Sequence, residues 1–471
     1  MPSQIAIDYV REKAPLFKEL SDRIWESPEL GLHEVKSSAV LADALEADGF
    51  HVQRGLGGMP TAFTATYGEG KPVIGLLGEF DALPSLSQAR GTPQHTPLVP
   101  GGPGHGCGHN LLGTAAAAAA MAVKRAIERG EVRGTVRFYG CPAEETLVGK
   151  VFMVKAGLFS DVDCALTWHP GSTNGVWASS SLAMNSAKFT FHGISSHAAG
   201  DPENGRSALD AVELMNVGVN FLREHVPATT RIHYVITDGG LGPNVVPNRA
   251  EVWYYVRAPK RGDVEDIYAR VLNIAKGACQ MTDTTHDVRL LCGCYDTLAN
   301  RALGDRMHAN MTAIGAPRFT DDERKLARQL QGTVGETAVA KAIEQMRKHG
   351  IDVASRAELY EGVAPQWGYG EVGGGSTDVG DVSYVVPTAQ VNTVTAPIAT
   401  PGHSWQNVVA VGSSIGQKGM LFAAQTMATT CCDLMREPEL VAKAKAEFKE
   451  ATANSPYVSP VRDVAEPPLN G

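Results

Sequence analysis

The stretch "PVIGLLGEFDALP", residues 72–84, predicts the fold class of this chain. Its first half is apolar at almost every position, which is typical of a strand buried on both faces within a parallel sheet. The stretch continues into Glu79 and Asp81, and the ligand crevice of an open α/β sheet lies outside the carboxyl ends of its strands. We therefore expect an α/β domain, a mostly parallel sheet with helices on both faces, that carries a site at this edge.

Two further stretches also combine a predicted strand with polar side chains at its end. "GTVRFYGCPAEET", residues 134–146, runs into Glu144 and Glu145, and "DCALTWHPG", residues 163–171, runs into His169. Helical spacing covers about residues 5–27 and 36–48. Three strands thus place side chains that can bind metal or transfer protons at one edge of the predicted sheet.

A second domain is expected because single cores stop growing at roughly 250–300 residues, and the chain has 471. Residues 186–299 show strand and helix patterns in the order βαββαβ, the ferredoxin-like α+β arrangement. This order predicts an inserted domain over 186–299 within a discontinuous catalytic domain over 1–185 and 300–471.

Charge and composition exclude several classes of partner. The formal net charge of -9 includes no basic stripe, so nucleic-acid binding is not expected. No apolar run reaches the roughly 20 residues that a membrane span needs. Eight unevenly spaced cysteines do not resemble a disulfide scaffold, and we expect a reduced, cytoplasmic protein.

The glycine-rich loop "GGPGHGCGHN", residues 101–110, leads into an alanine-rich helix and carries Cys107 and His109. A helix N-terminus favours a thiolate, the form of cysteine that binds metal. His105 competes with His109 as a ligand, and His109 is favoured because it lies nearer the helix. A buried, inert cysteine and a core histidine are the alternative interpretation.

Glu144 and Glu145 cannot point the same way while they remain in an extended strand, so they share a site only if the strand has already turned. One can then bind metal while the other acts as general base. A solvent-facing helix start is the alternative. Together with His169 and with His403 of the turn "TPGHSW", the donors suit Zn²⁺ and also Mn²⁺.

These motifs, "CGHN", "PAEE", "WHP" and "PGHSW", resemble in type and order those of the M20 metallopeptidase superfamily and its amidohydrolase subfamily. Together they form a highly specific combination that extends over nearly the whole chain. Typical members of the subfamily have aspartate where this chain has Glu79 and Asn110. The segments "GEFDALPSLSQ", "VPGGPGHGCGHN" and "GGGSTDVGDVSYVVPT" most resemble the branch that contains the B-type subunit of aminobenzoyl-glutamate hydrolase.

The resemblance implies two divalent metal ions, Zn or Mn, and Glu144 as the general base. Asp81 takes the place of the orienting aspartate, and Glu79 stands where peptidases elsewhere in the superfamily carry a ligand histidine. The metal ligands implied by the resemblance are Cys107, His109, Glu145, His169 and His403.

The resemblance also implies that the inserted domain is a lid and a dimer interface, and that the assembly is a homodimer or a heterodimer with a related subunit. His197 would polarise the scissile carbonyl, Asn244 would bind substrate, and Arg257 is a further candidate for a substrate carboxylate. A solvated loop histidine and a turn asparagine are the alternatives for the first two.

The expected function is hydrolysis of N-acyl amino acids with a free carboxylate, with p-aminobenzoyl-glutamate as the nearest family example. A dipeptidase or another N-acyl-amino-acid hydrolase would use the same site. A catalytically silent partner subunit is the alternative from another class.

Overall fold

The computed structural model describes residues 2–469, and it confirms the α/β fold class. The helices are α1 (Gln4–Glu12), α2 (Ala14–Glu26), α3 (Val35–Ala47), α4 (His109–Glu128), α5 (Gly149–Lys155), α6 (Ala208–Leu222), α7 (Arg261–Thr282), α8 (Arg301–Ile314), α9 (Asp321–Val334), α10 (Glu336–Lys348), α11 (Val379–Ser383), α12 (Trp405–Val411), α13 (Ser414–Arg436) and α14 (Pro438–Thr452). The strands are β1 (His51–Arg54), β2 (Phe63–Gly68), β3 (Val73–Glu79), β4 (Thr135–Cys141), β5 (Cys164–Gly171), β6 (Gly175–Trp177), β7 (Ala183–His192), β8 (Arg231–Asp238), β9 (Arg249–Ala258), β10 (Thr285–Cys294) and β11 (Thr388–Val394).

The larger sheet has seven strands in the order β1-β2-β4-β3-β5-β11-β6. Its four central strands, β4, β3, β5 and β11, are parallel, and the remaining neighbours pair antiparallel. Every residue of β3 is buried, as the apolar run predicts. The carboxyl ends of the parallel strands therefore meet at one edge, where Glu79 closes β3.

The alanine helix α4 packs closely against β3 because each element has a glycine at the contact. A Cβ added at Gly113 would lie 2.6 Å from the carbonyl oxygen of Glu79, and one at Gly78 would lie 3.3 Å from the Cα of Gly113. The helix is preceded by Gly108 at φ 84°, a left-handed conformation that glycine adopts without strain. This packing brings His109, the first residue of α4, to the end of β3.

The smaller sheet has four strands in the order β10-β7-β9-β8, with all neighbours antiparallel. Helix α6 follows β7 and α7 follows β9, so the chain order βαββαβ is as predicted. Apolar side chains alternate along β9, and they pack with α6 and α7 in a core of their own. This is the ferredoxin-like α+β arrangement.

Three local expectations from the sequence differ from the structure. The helix expected over 5–27 is two helices, because Lys13 leaves the helical conformation and Pro15 starts the next one. Strand β5 continues to Gly171, so His169 lies inside it and not beyond it. Strand β11 forms after the glycine-rich stretch, where no strand was predicted.

The chain divides into two compact units by its internal contacts. The larger contains residues up to Ser180, Leu298–Glu371 and Val382–Tyr457; the smaller contains Ser181–Thr297, Val372–Asp381 and the described residues from Val458. The sequence did not predict that Val372–Asp381 and the described residues from Val458 belong to the smaller unit. The domain boundaries drawn from the sequence stay a prediction. Across residues 2–469, no helix combines the length and apolarity that a membrane span needs.

Candidate metal centre

His109 is the centre of the strand-end site. It is fully buried, and its Nδ1 lies 2.8 Å from Asp81 Oδ1. If Nδ1 carries the proton, as a hydrogen bond to a carboxylate favours, Nε2 is left with its lone pair for a metal ion. Three carboxylates face that Nε2 atom, at 3.3 Å from Glu79, 3.8 Å from Glu144 and 4.0 Å from Glu145.

The two adjacent glutamates share this site because the chain turns directly after β4. Ala143 has φ 54°, and the turn lets Glu144 and Glu145 both face His109. Asp81 contributes again, since its Oδ2 accepts the backbone N–H of Glu145 at 2.9 Å. One buried aspartate thus orients both the imidazole and the turn.

Cys107, His169 and His403 complete the cluster. Cys107 Sγ lies 3.3 Å from His169 Nε2, and His169 Nδ1 lies 2.8 Å from the carbonyl oxygen of Pro170. His403 comes from the loop before α12, and its Nε2 lies 3.5 Å from Glu145 Oε2. The structure therefore brings all five expected ligands together.

Among the described residues the possible ligand atoms form three sets, two of which share the thiol of Cys107. Within each set the atoms lie within 4.8 Å of one another. The sets are Cys107, His109 and His169; Cys107, Glu145 and His403; and Glu79, His109 and Glu144. Soft sulfur, imidazole nitrogen and carboxylate oxygen together suit Zn²⁺ and related divalent ions.

Orphaned polar atoms show that the residues fit a cation. Within the described residues, Glu79 Oε2, His109 Nε2 and Glu145 Oε1 are buried without a hydrogen-bond partner. Burial raises the pKa of Glu145 to about 7. Burial opposes a charge on His109, yet Cys107 and Asp81 outweigh it and raise the pKa of His109 well above its ordinary value. The cluster is short of positive charge, which a divalent ion would supply.

The protonation state of Cys107 differs from expectation. Burial and the charge of Glu145 raise its pKa, whereas the N-terminus of α4 was expected to lower it. Desolvation and a neighbouring carboxylate outweigh the helix dipole at this position. A bound cation would reverse the balance, because a coordinating thiol is deprotonated outright.

His105 and Asn110 lie beside the cluster with structural contacts. His105 is buried, and its Nε2 lies 3.1 Å from the carbonyl oxygen of Ile24; burial lowers its pKa to about 4. Asn110 donates from Nδ2 to Ser21 Oγ at 3.1 Å. Neither belongs to the groups of possible ligands, so the choice of His109 over His105 agrees with the geometry.

Sequence reasoning missed Lys150 and Glu34. Lys150, on α5, is fully buried, and its Nζ lies 2.8 Å from Glu79 Oε1. Glu34, directly before α3, is buried and accepts the backbone N–H of Ala143 at 2.7 Å. A lysine and a glutamate at helix starts normally indicate solvated positions, so the sequence offered no signal for either.

The smaller unit holds the remaining candidates at two ends of its sheet. His197 and Asn244 are exposed on neighbouring loops, and the N–H of Ala198 donates to the carbonyl oxygen of Asn244 at 3.0 Å. His197 Nδ1 accepts the N–H of Gly200 at 3.0 Å, so a neutral ring carries its proton on Nε2. This proton is available for donation to a substrate.

Arg257 lies near the other end of β9. It is separated by eight residues, about 26 Å of strand, from Arg249, which follows the loop of Asn244. Its Nη1 donates to Ser376 Oγ at 3.3 Å, and its buried Nε has no hydrogen-bond partner among residues 2–469. The smaller unit therefore does not bring Arg257 next to His197 and Asn244.

Comparison with known structures supports the fold. A putative aminohydrolase from methicillin-resistant Staphylococcus aureus superposes with a TM-score of 0.63 at 19% identity, covering 92% of this chain and 99% of the other. A Bacillus subtilis protein described as a dinuclear metal binding peptidase of the M20 family gives a TM-score of 0.56 at 17% identity, covering 90% and 99%. At these identities the likeness concerns the fold alone.

Sequence comparison identifies the family. The chain is 44% identical to the B-type subunit of p-aminobenzoyl-glutamate hydrolase from Escherichia coli, over 98% of both chains. It is 28% identical to the Xaa-Arg dipeptidase of Mus musculus, over 94% of this chain and 91% of the other. The model of peptidase family M20/M25/M40 matches residues 75–435, and this family is metal-dependent. The resemblance drawn from the motifs is confirmed: the chain belongs to peptidase family M20/M25/M40 and is a metallo-amidohydrolase.

Proposed function

We propose that this chain hydrolyses N-acyl amino acids that carry a free carboxylate, with p-aminobenzoyl-glutamate as the first substrate to test. The observation that carries the proposal is the convergence of three carboxylates, two of them buried, and a thiol on His109 and His169. The 44% identical relative is named for hydrolysis of that compound, which supports this choice of substrate.

Cys107, His109, Glu145, His169 and His403 would hold two divalent ions, Zn²⁺ or Mn²⁺. When bound, such ions polarise a carbonyl and lower the pKa of water. Glu144, which faces His109 but is not one of these five ligands, is proposed as the general base. It takes the proton of the attacking water and returns it to the leaving amine.

The part of the smaller unit over about residues 186–299 is proposed as a lid that supplies an oxyanion donor and substrate-binding groups. His197, protonated on Nε2, donates to the oxyanion, and Asn244 on the adjoining loop binds the substrate beside it. Arg257 pairs with the substrate carboxylate, for which a guanidinium with an unpaired Nε is suited. As the family resemblance implies, one protomer's His197 would serve its partner's site.

Dimerisation through the smaller unit is part of the proposal. β8 is an edge strand, and it exposes the apolar side chains of Tyr234, Val235 and Ile236. An exposed edge strand with apolar side chains is a ready partner for another chain. The partner is a second copy or a related subunit, since p-aminobenzoyl-glutamate hydrolase has two named subunits and this chain matches both. It matches the B-type over nearly its whole length and the A-type, at 29% identity, over 49% of this chain and 55% of the other.

The variant Glu144→Gln tests the central role. Metal content is expected to match the wild-type chain, while turnover of p-aminobenzoyl-glutamate falls by about 10²- to 10⁴-fold, the usual contribution of a general base. Exposed Glu69→Gln is the matched control. Metal analysis and initial rates are measured on the same preparations.

Three results would contradict the proposal. Full turnover by the Glu144→Gln variant would remove the base from the mechanism. A wild-type chain that binds metal but cleaves neither acyl-glutamates nor Xaa-Arg dipeptides would be a silent partner subunit. Preference for the dipeptides would favour the dipeptidase alternative, to which the 28% identical relative points.

A further inference from the structure

The turn that carries Glu144 and Glu145 is conformationally unusual. Ala143 and Leu147 have φ values of 54° and 59°, in the left-handed region that residues with a Cβ rarely adopt. Each such residue costs on the order of 1–3 kcal/mol and persists only where surrounding contacts fix it. Backbone hydrogen bonds within the turn run from the N–H of Leu147 to the carbonyl oxygen of Glu144 and from the N–H of Val148 to that of Ala143, and interactions from outside add to them.

Two buried carboxylates supply those interactions, one on each side of Glu144. Glu34 Oε1 accepts the N–H of Ala143 at 2.7 Å, and Asp81 Oδ2 accepts the N–H of Glu145 at 2.9 Å. Asp81 also contacts His109, so its position is explained by the candidate metal site. Glu34 does not belong to any of the groups of possible metal ligands among the described residues.

Glu34 directly precedes α3, but its side chain is not needed to cap that helix. It occupies the N-cap of α3 but makes no side-chain capping bond. The first-turn N–H groups of Lys36 and Ser37 are instead capped by Glu29, whose Oε2 accepts both at 2.9 Å. The Glu34 carboxyl is thus free of helix capping and directed at the turn.

The approach of this segment to the turn is close. A Cβ added at Gly31 would lie 3.0 Å from the Cα of Ala143, so the loop before Glu34 is in van der Waals contact with the turn. The other oxygen of Glu34, Oε2, is bonded to Thr61 Oγ1 at 2.9 Å, which fixes the side chain on its far side. Glu34 is fully buried.

We propose that Glu34 is a positioning residue that holds Ala143, and through it Glu144, in the conformation needed for proton transfer. The inference rests on the proposed role of Glu144 as general base. It assigns a function in the reaction to a residue of the N-terminal segment, 110 positions before the base in the chain.

Three variants of the full chain separate positioning from simple packing. Glu34→Leu removes the acceptor at similar volume and leaves the N–H of Ala143 unbonded. Glu34→Gln keeps an oxygen for Ala143 and offers its NH₂ group to Thr61 Oγ1. Thr61→Val removes the other bond of Glu34 and leaves the bond to Ala143 intact. Burial, with the charge of Asp81, raises the pKa of Glu34 to about 8, so glutamine also matches the charge favoured at pH 7.

Activity is measured with Mn²⁺ or Zn²⁺ and p-aminobenzoyl-glutamate. In Glu34→Leu we expect kcat to fall by about 10- to 100-fold, with KM and metal content little changed, because the base is displaced while the ligands remain. Glu34→Gln and Thr61→Val are expected to keep kcat near the wild-type value.

A second measurement uses no substrate and no metal. Amide hydrogen exchange of residues 142–148 in the metal-free chain should be faster in Glu34→Leu than in the wild-type chain, and unchanged in Thr61→Val. If the wild-type chain cleaves nothing, the proposed function fails while this measurement still tests the turn.

The inference is overturned by any of three results. Unchanged kcat or unchanged exchange in Glu34→Leu would show that the turn holds itself. An equal loss of kcat in Thr61→Val would reduce the effect to packing. A Glu34→Gln variant as impaired as Glu34→Leu would show that an oxygen for Ala143 is not what matters.

Discussion

In the larger unit, His109, Asp81 and Glu79 are almost completely excluded from solvent, whereas in the smaller unit His197 and Asn244 lie on exposed loops. The first group is fixed by charged side chains that bond to one another and to the turn after β4. The second is fixed mainly by backbone hydrogen bonds between its loops.

The difference separates two requirements of the chemistry. A site that holds cations must keep several negative groups together, and only buried, mutually bonded side chains do so without solvent reorganisation. A group that donates to the substrate must be free to approach after the substrate has entered, and exposed loops have the low local stability that such motion needs.

The largest effect is expected from the buried pair of Lys150 and Glu79. Lys150→Met leaves the Glu79 carboxylate buried without its cation and should cost about 3–5 kcal/mol of unfolding free energy, measured by urea unfolding of the metal-free chain. The double variant Glu79→Gln, Lys150→Met should recover most of the loss. Exposed Lys155→Met, on the same helix, is the control. A loss in Lys150→Met no larger than in the control would show that this region is not as closed as its burial indicates.

The next effect concerns the exposed loops. His197→Ala should reduce turnover by about 10²- to 10³-fold, the typical value of one oxyanion donor, with metal content unchanged. His192→Ala, in the same unit, is the control. Loss of metal in His197→Ala would place this histidine in the ligand cluster and remove the contrast between the two regions.

Mixing two inactive variants tests whether His197 acts in the site of its own chain or in that of its partner. Chains carrying His197→Ala and chains carrying Glu144→Gln should regain activity when combined, because a mixed dimer contains one site with both groups intact if His197 acts across the interface. No recovery in verified mixed dimers would assign His197 to its own chain.

The smallest effect is a pH dependence that originates in the buried region. The pKa of Glu34 is raised by burial from 4.5 to about 8, so its contribution to stability is present below pH 4.5 and is lost as the pH rises through 8. Between pH 6 and 9 the wild-type chain should therefore lose on the order of 2 kcal/mol more than Glu34→Gln, measured by urea unfolding at each pH. Parallel curves for the two chains would show that Glu34 is already ionised in the folded state.

Much of the site could be predicted from the sequence because strand ends and glycine-rich loops are recognisable from local sequence patterns. The buried apolar run placed Glu79 and Asp81 at the edge of the sheet, and the order of motifs gave the five expected ligands. The strand β11, Thr388–Val394, was missed because it directly follows the glycine-rich stretch, which reads as loop.

The sequence by itself determined the fold class, the family and which residue types meet at the strand ends, since apolar periodicity and motif order are local properties of the chain. Only the tertiary structure decided which distant polar groups are paired. Lys150 with Glu79 and Glu34 with Ala143 are separated by 71 and 109 positions, and local patterns contain no information on such pairs. The pKa of Cys107 depends in the same way on burial and on Glu145, which folding brings to it.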